Sequence, residues 1–205
     1  MLDEAASLPD LEALVLLHQD VELRDERLAD KLRMCLQDPL VAVVGAVGAS
    51  NVRDLDYWDG GVIGGVAWPA IAKARNGVRG SITAGPVDAV DGLLMALSPW
   101  AVRNLRFDER FAPFFHGYDT DLCFQARERG RRVVVADLDV VHHARMDFFD
   151  RRTWVPAYML WHRKWSDGSP RRDSAATGVP PPRRCPSNER PRETTGEAGR
   201  APGGG

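Results

Sequence analysis

Four short stretches carry the side chains that could do chemistry: His18 to Asp20, Asp91 with Gly92, the run HGYDTD from His116 to Asp121, and the pair His142 and His143. Carboxylates and imidazoles are the groups that bind divalent cations or move protons near neutral pH. Asp20 follows the apolar run LVLL closely, so its carboxylate could leave the backbone ladder and take a hard cation in a cleft. The plainer reading is that Asp20, or Asp25 further on, caps the helix that follows. His142 and His143 are neighbours on a predicted strand, so their side chains point to opposite faces and only one can enter a shared site. A lone histidine at a strand end is more often a hydrogen-bonded structural residue, and nearby carboxylate-bearing loops are what argue otherwise here. Asp119 and Asp121 fall in the first turn of a predicted helix, where the helix dipole alone would favour them. Two positions apart they diverge, so one can cap while the other faces a cleft, and Gly117 permits a sharp turn or the close approach of a ligand. Asp91 interrupts an apolar run and is the strongest single anomaly, because a charge there needs a partner or a solvent-facing pocket.

The elements that must position these groups alternate between strand and helix patterns. Ala13 to Leu17 is short and uninterrupted in its apolarity, as in a central strand covered on both faces. Asp25 to Gln37 carries Leu28, Leu32 and Cys35 or Leu36 on one helical face. Val41 to Val47 reads as a second buried strand. Gly48 to Ser81 is rich in glycine and holds Trp58 and Trp68 without a firm period, which suggests loops and weak strands over a site. Val90 to Leu97 is strand-like, and Ser98 with Pro99 opens a helix as N-cap and first helical residue. A second helix runs from about Asp119 to Arg129 and is closed by Gly130. Arg131 to Ala136 and Asp139 to His143 give the last strands. This succession argues an α/β layer fold with a mixed, largely parallel sheet flanked by helices, whose ligands gather beyond the carboxyl ends of the strands.

Composition sets the limits. The 205 residues are 44% hydrophobic and 27% charged, ordinary for a globular chain with one domain or a small pair. A formal charge of -2 gives no overall basic field for nucleic acid or anionic lipid. The longest apolar run is far too short to span a bilayer, and the acidic start lacks the positive region of a secretion signal, so a cytoplasmic protein is expected. Cys35, Cys123 and Cys185 are odd in number and widely spaced, fitting neither a disulfide framework nor a zinc set. Residues 1–165 read as the globular domain. Residues 166–205 lack aromatics and are dense in Pro, Gly, Ser and Arg, so a disordered tail is expected there.

The stretches VLLHQDVEL, VDAVDGLLMALSPWAV, LRFDERFAPFFHGYDTDLCFQARERGRRVVVA, VVHH and WHRKW, in this order across about Leu11 to Trp165, resemble family-2 glycosyltransferases of the GT-A (Rossmann-like) fold, in particular the bacterial glycosyltransferase-like subgroup. The resemblance implies transfer of a sugar from a nucleotide-diphosphate sugar to a glycan, lipid-linked or other hydroxyl acceptor, with Mn2+ or Mg2+ on the diphosphate. It sets Asp20 at the last aspartate of the family's Asp-x-Asp element and His18 at the first, on the nucleotide side. It sets Asp91 and Gly92 at the acceptor segment, and Asp119 at the catalytic base with Tyr118 where glutamate is common. His143, or failing that His142, falls at a histidine that completes the metal set, and Lys164 with Trp165 at a Lys-Trp ending. Asp121 and Trp100 are expected on the substrate side, and Trp58, Trp68 and Trp100 could stack on sugar rings. Inversion by a single displacement is the implied chemistry. Family members carry further strands before the Asp-x-Asp element, whereas Met1 to Leu17 precede it here, so a partial GT-A domain lacking the N-terminal nucleotide-binding segment is expected. Two other functions fit the same residues: an inactive remnant serving as a binding module, and a metal-dependent nucleotidyltransferase or hydrolase.

Overall fold

In a computed structural model the described residues are 2–56, 62–64, 85–143 and 150–166, with 62–64 described as backbone only. In chain order the elements are α1 (Leu2–Ala6), β1 (Leu14–Leu17), β2 (Val21–Leu23), α2 (Leu28–Leu36), β3 (Val41–Gly45), β4 (Val47–Ala49) and β5 (Val62–Gly64). There follow β6 (Gly85–Val87), β7 (Ala89–Val90), β8 (Leu94–Leu97), α3 (Pro99–Asn104), a 3-10 turn (Glu109–Phe111), α4 (Tyr118–Glu128), β9 (Arg132–Val135), β10 (Val140–His142) and α5 (Arg151–Trp165).

The main sheet has five strands in the order β1-β8-β3-β9-β6. Side chains alternate across it as the period of two demands. Val43, Met95, Leu97, Val133 and Val135 join one core with Ala101, Leu122, Phe124 and Trp161, from α3, α4 and α5. Val44, Leu94, Ala96 and Val134 join a second core with Leu32 and Cys35 of α2. Helices therefore cover both faces, as the α/β reading required. Two smaller antiparallel sheets stand beside it among the described residues: β2 with β10, and β4 between β5 and β7.

Two expectations about the sheet are corrected. It is not largely parallel: β3 and β9 are the parallel pair, while β1 with β8, β3 with β8, and β6 with β9 run antiparallel. Nor is β1 central. It lies at the sheet edge, with Leu17 exposed. An apolar run marks burial of side chains and is silent about strand direction or neighbours. The run Val41 to Val47 is likewise two strands in different sheets, split at Ala46.

Local signals explain most helix ends. The Ser98 hydroxyl accepts from the Ala101 N–H, with Pro99 in the first turn. Asp25 accepts from the Arg27 N–H through Oδ1, and its Oδ2 takes the buried Lys31 ammonium and the Asp139 N–H. Asp25 thus stabilises the turn that leads into α2, whose N-cap is Arg27 without a side-chain cap, so the capping reading does not hold for Asp25. Gly117 enters α4 with φ 81°, and Gly130 follows it with φ 70°. The helix α5 was not foreseen. Its Ala157, Trp161 and Trp165 are buried at a four-residue spacing, and Pro156 lies inside it.

Candidate functional site

The register of β1 against β8 brings the first two motifs together. Leu17 pairs with Leu94, and the pairing runs on by one bond, from the His18 N–H to the Leu93 carbonyl at 3.0 Å. The loop leaving β1 therefore lies beside the loop entering β8, which carries Asp91 and Gly92. The chain then turns into β2, whose Val21 pairs with His142 of β10. That pairing sets His142 against Asp20.

His18, Asp20 and His142 form a cluster in which one ligating atom from each lies within 4.8 Å of the others. His142 Nε2 stands 3.2 Å from Asp20 Oδ1. The Asp20 oxygen is buried and, among the described residues, accepts no hydrogen bond, so the imidazole is near it but out of line. The rings of His18 and His142 are 5.5 Å apart. Burial lowers the pKa of His18, with His142 acting in the same direction and Asp91 and Asp20 opposing, so a neutral imidazole with a lone pair for a ligand is favoured. Two imidazoles and a carboxylate with an unsatisfied oxygen fit a divalent cation.

His143 lies on the other side of β10. It is half exposed, and its Nε2 sits 2.9 Å from Glu22 Oε2. The alternation along the strand admits only one of the pair, and it is His142.

Tyr118 ties the cluster to the carboxylates of the next two motifs. Its hydroxyl lies 2.9 Å from His18 Nε2. Burial first, then the charges of Asp119 and Asp91, raise its pKa, so it stays a hydroxyl. It fits only because residue 92 is glycine: a Cβ there would overlap the Tyr118 oxygen and stand 2.8 Å from Cζ. The Gly92 N–H in turn donates to Asp119 Oδ2 at 2.9 Å, and the Thr120 N–H donates to Oδ1 at 2.8 Å. Asp119 keeps some surface access but is ringed by protein. Burial, and then the charge of Asp91, raise its pKa to about 6, against the pull of those two N–H groups. Asp91 is held by its own turn, Oδ1 accepting from the Leu93 N–H at 2.8 Å. The anomalous aspartate thus belongs to a polar corner shared by two loops.

Asp121 and Trp100 are not brought to this corner. The Asp121 side chain is fully buried, accepting from Trp165 Nε1 at 2.8 Å and Gln125 Nε2 at 2.8 Å, with Lys164 Nζ at 2.7 Å. Lys164 also reaches Asp108 at 2.9 Å. The Lys-Trp ending therefore fastens α5 to α4 through Asp121. Trp100 follows the far end of β8, a strand whose four residues span roughly 13 Å. Its ring lies under the Arg131 guanidinium, 4.2 Å from centroid to carbon. Trp58 and Trp68 lie outside the described residues.

One residue at the corner escaped the sequence reading. Phe115 is 63% exposed at φ 61°, a conformation that costs a bulky side chain energy, and its ring centroid is 5.8 Å from that of His18. Its neighbours gave no periodic signal, and a positive φ at phenylalanine has none in sequence. Among the described residues no helix is long and apolar enough to cross a membrane.

Comparison with known proteins matches residues 2–154 to the model of a glycosyltransferase-like family. The chain is also 32% identical over 183 residues to the streptomycin biosynthesis protein StrF of Streptomyces griseus, a match covering 83% of this chain and 60% of that one. The chain thus spans about three fifths of the length of this curated relative.

Proposed function

The chain belongs to the glycosyltransferase-like family, and from that premise we propose that it passes a sugar from a nucleotide-diphosphate sugar to a glycan, lipid-linked or other hydroxyl acceptor, by a single inverting displacement with a divalent cation. The observation that carries this reading is the convergence of His18, Asp20 and His142 with Tyr118 and Asp119 at one sheet edge. His18, Asp20 and His142 would hold the cation. When bound, a divalent ion supplies positive charge against the diphosphate leaving group.

The remaining work falls to the chain's own groups. Asp119 takes the acceptor's proton as the acceptor oxygen bonds to the anomeric carbon and the bond from that carbon to the phosphate oxygen breaks. A carboxyl with a pKa near 6 is ionised at neutral pH and more basic than an ordinary aspartate. The N–H groups of Gly92 and Thr120 fix its plane, and Oδ2, which accepts from Gly92, keeps a lone pair for the acceptor proton, while Oδ1 also faces the Thr120 hydroxyl at 3.4 Å. Asp91 lies on the acceptor side of this arrangement, and the exposed Phe115 ring offers an apolar face to a sugar.

The test is titration of UDP and other nucleoside diphosphates into the protein with and without manganese, followed by product analysis with the matching nucleotide sugars. Metal-dependent binding and release of a nucleoside diphosphate are expected. Release of pyrophosphate or a monophosphate would favour a nucleotidyltransferase or hydrolase, and no metal-dependent binding of any nucleotide would favour a catalytically silent binding module.

A further inference from the structure

We infer that the cation site is built for a nitrogen-preferring late first-row ion of the Co2+ or Zn2+ kind and discriminates against Mg2+. The inference rests on the proposed metal site and goes beyond it to the class of ion. Two of the three donors are imidazoles. Mg2+ is hard, takes oxygen ligands in near-ideal octahedral geometry and dehydrates reluctantly, so such a set offers it one matched ligand. Imidazole nitrogen suits the later first-row ions, and a mixed nitrogen and oxygen site binds cobalt and zinc more tightly than manganese.

The geometry supports the same ion class. Two ligand atoms that share a metal at about 2.1 Å can be no more than about 4.2 Å apart. The three donor atoms lie within 4.8 Å, so a contraction of a few tenths of an ångström brings them into range without new ligands. The His142 side chain is 7% exposed and anchored in the β2–β10 pairing. Tyr118 fixes the His18 ring through Nε2, as outer partners commonly fix a metal-bound histidine. Among the described residues the cluster supplies three ligands of which one is a carboxylate, and so no carboxylate cage for magnesium.

The experiment uses the whole chain, stripped with a chelator, and follows calorimetric titration with MgCl2, MnCl2, CoCl2 and ZnCl2 without nucleotide, alongside the visible spectrum of the cobalt form. Expected are dissociation constants at least tenfold tighter for cobalt and zinc than for magnesium, with manganese between them, and cobalt bands of a nitrogen-containing site. His18→Asp should narrow the zinc-to-magnesium ratio tenfold or more, and His142→Gln should weaken cobalt and zinc binding tenfold or more. Equal binding of magnesium and zinc by the unaltered protein would overturn the selectivity and leave the cation site standing. Binding of none of the four ions would overturn the site itself. Cobalt or zinc binding indifferent to His142→Gln would place the ion elsewhere and overturn the inference even if His18→Asp fails to fold.

Discussion

The contact between Gly92 and Tyr118 invites a quantitative test. In Gly92→Ala the added methyl would overlap the Tyr118 hydroxyl and stand 2.8 Å from Cζ and 3.2 Å from Cε2. Tyr118 cannot swing aside freely, because its hydroxyl meets His18 and its ring packs against Phe107 and Phe115. Overpacking of this kind costs about 1–3 kcal/mol. For a chain of this size each kcal/mol lowers Tm by roughly 2–4 °C, so Gly92→Ala should melt about 2–12 °C below the parent. Tyr118→Phe removes the overlapped oxygen at the loss of one hydrogen bond, about 1 kcal/mol. Joined to Gly92→Ala it should recover about 1 kcal/mol of the first loss; the recovery is incomplete because the ring carbons still crowd the methyl. Urea unfolding of the four proteins measures the coupling. If the two losses simply add, to within about 0.5 kcal/mol, the close approach does not constrain the site and the account of Gly92 is wrong.

Asp119→Asn should lower turnover roughly 10²- to 10⁴-fold while leaving nucleotide affinity intact, as read by kinetics beside calorimetry. For the parent, the rate should climb as pH rises through about 6, because the protonated carboxyl cannot accept a proton. The same raised pKa means that the stability Asp119 contributes is fully present below its ordinary 3.8 and is lost as pH rises through about 6, so the urea midpoint of the parent relative to Asp119→Asn should fall across that window. Lys164→Met leaves the buried Asp121 carboxylate without its ammonium and should cost about 3 kcal/mol in urea unfolding, partly restored by Asp121→Asn in the same chain. Phe115→Asn should relieve the positive φ and raise stability by about 1 kcal/mol, while raising KM for donor or acceptor, a split that kinetics beside thermal melts resolves.

Sequence periodicity was informative wherever a side chain reports on its own surroundings. The strands Leu14–Leu17 and Leu94–Leu97, the helix α2, and the Ser98 and Gly130 helix boundaries follow from local pattern and capping chemistry. Asp91 was visible because a charge inside VDGLLMAL needs a reason. The sheet's antiparallel character was not visible, since Val, Leu and Ala in β3 and β8 look the same in either direction and only long-range pairing decides. Strand alternation narrowed His142 and His143 to one, and the resemblance put His143 first; the pairing of β10 with β2 instead sets His142 beside His18 and Asp20 and turns His143 to Glu22. For Asp119 and Asp121 the divergence on the helix was legible. That Asp121 turns inward required Lys164 and Trp165 from α5, a helix whose interior proline masked its period.

The bond between His18 and Tyr118 joins residues one hundred positions apart. A ribosome adding about 5–20 residues each second needs roughly 5–20 s to bridge that interval. Throughout it the emerging edge strand and its polar loop wait without their partners, so yield in a cell should respond to holding chaperones and to slower translation ahead of residue 118.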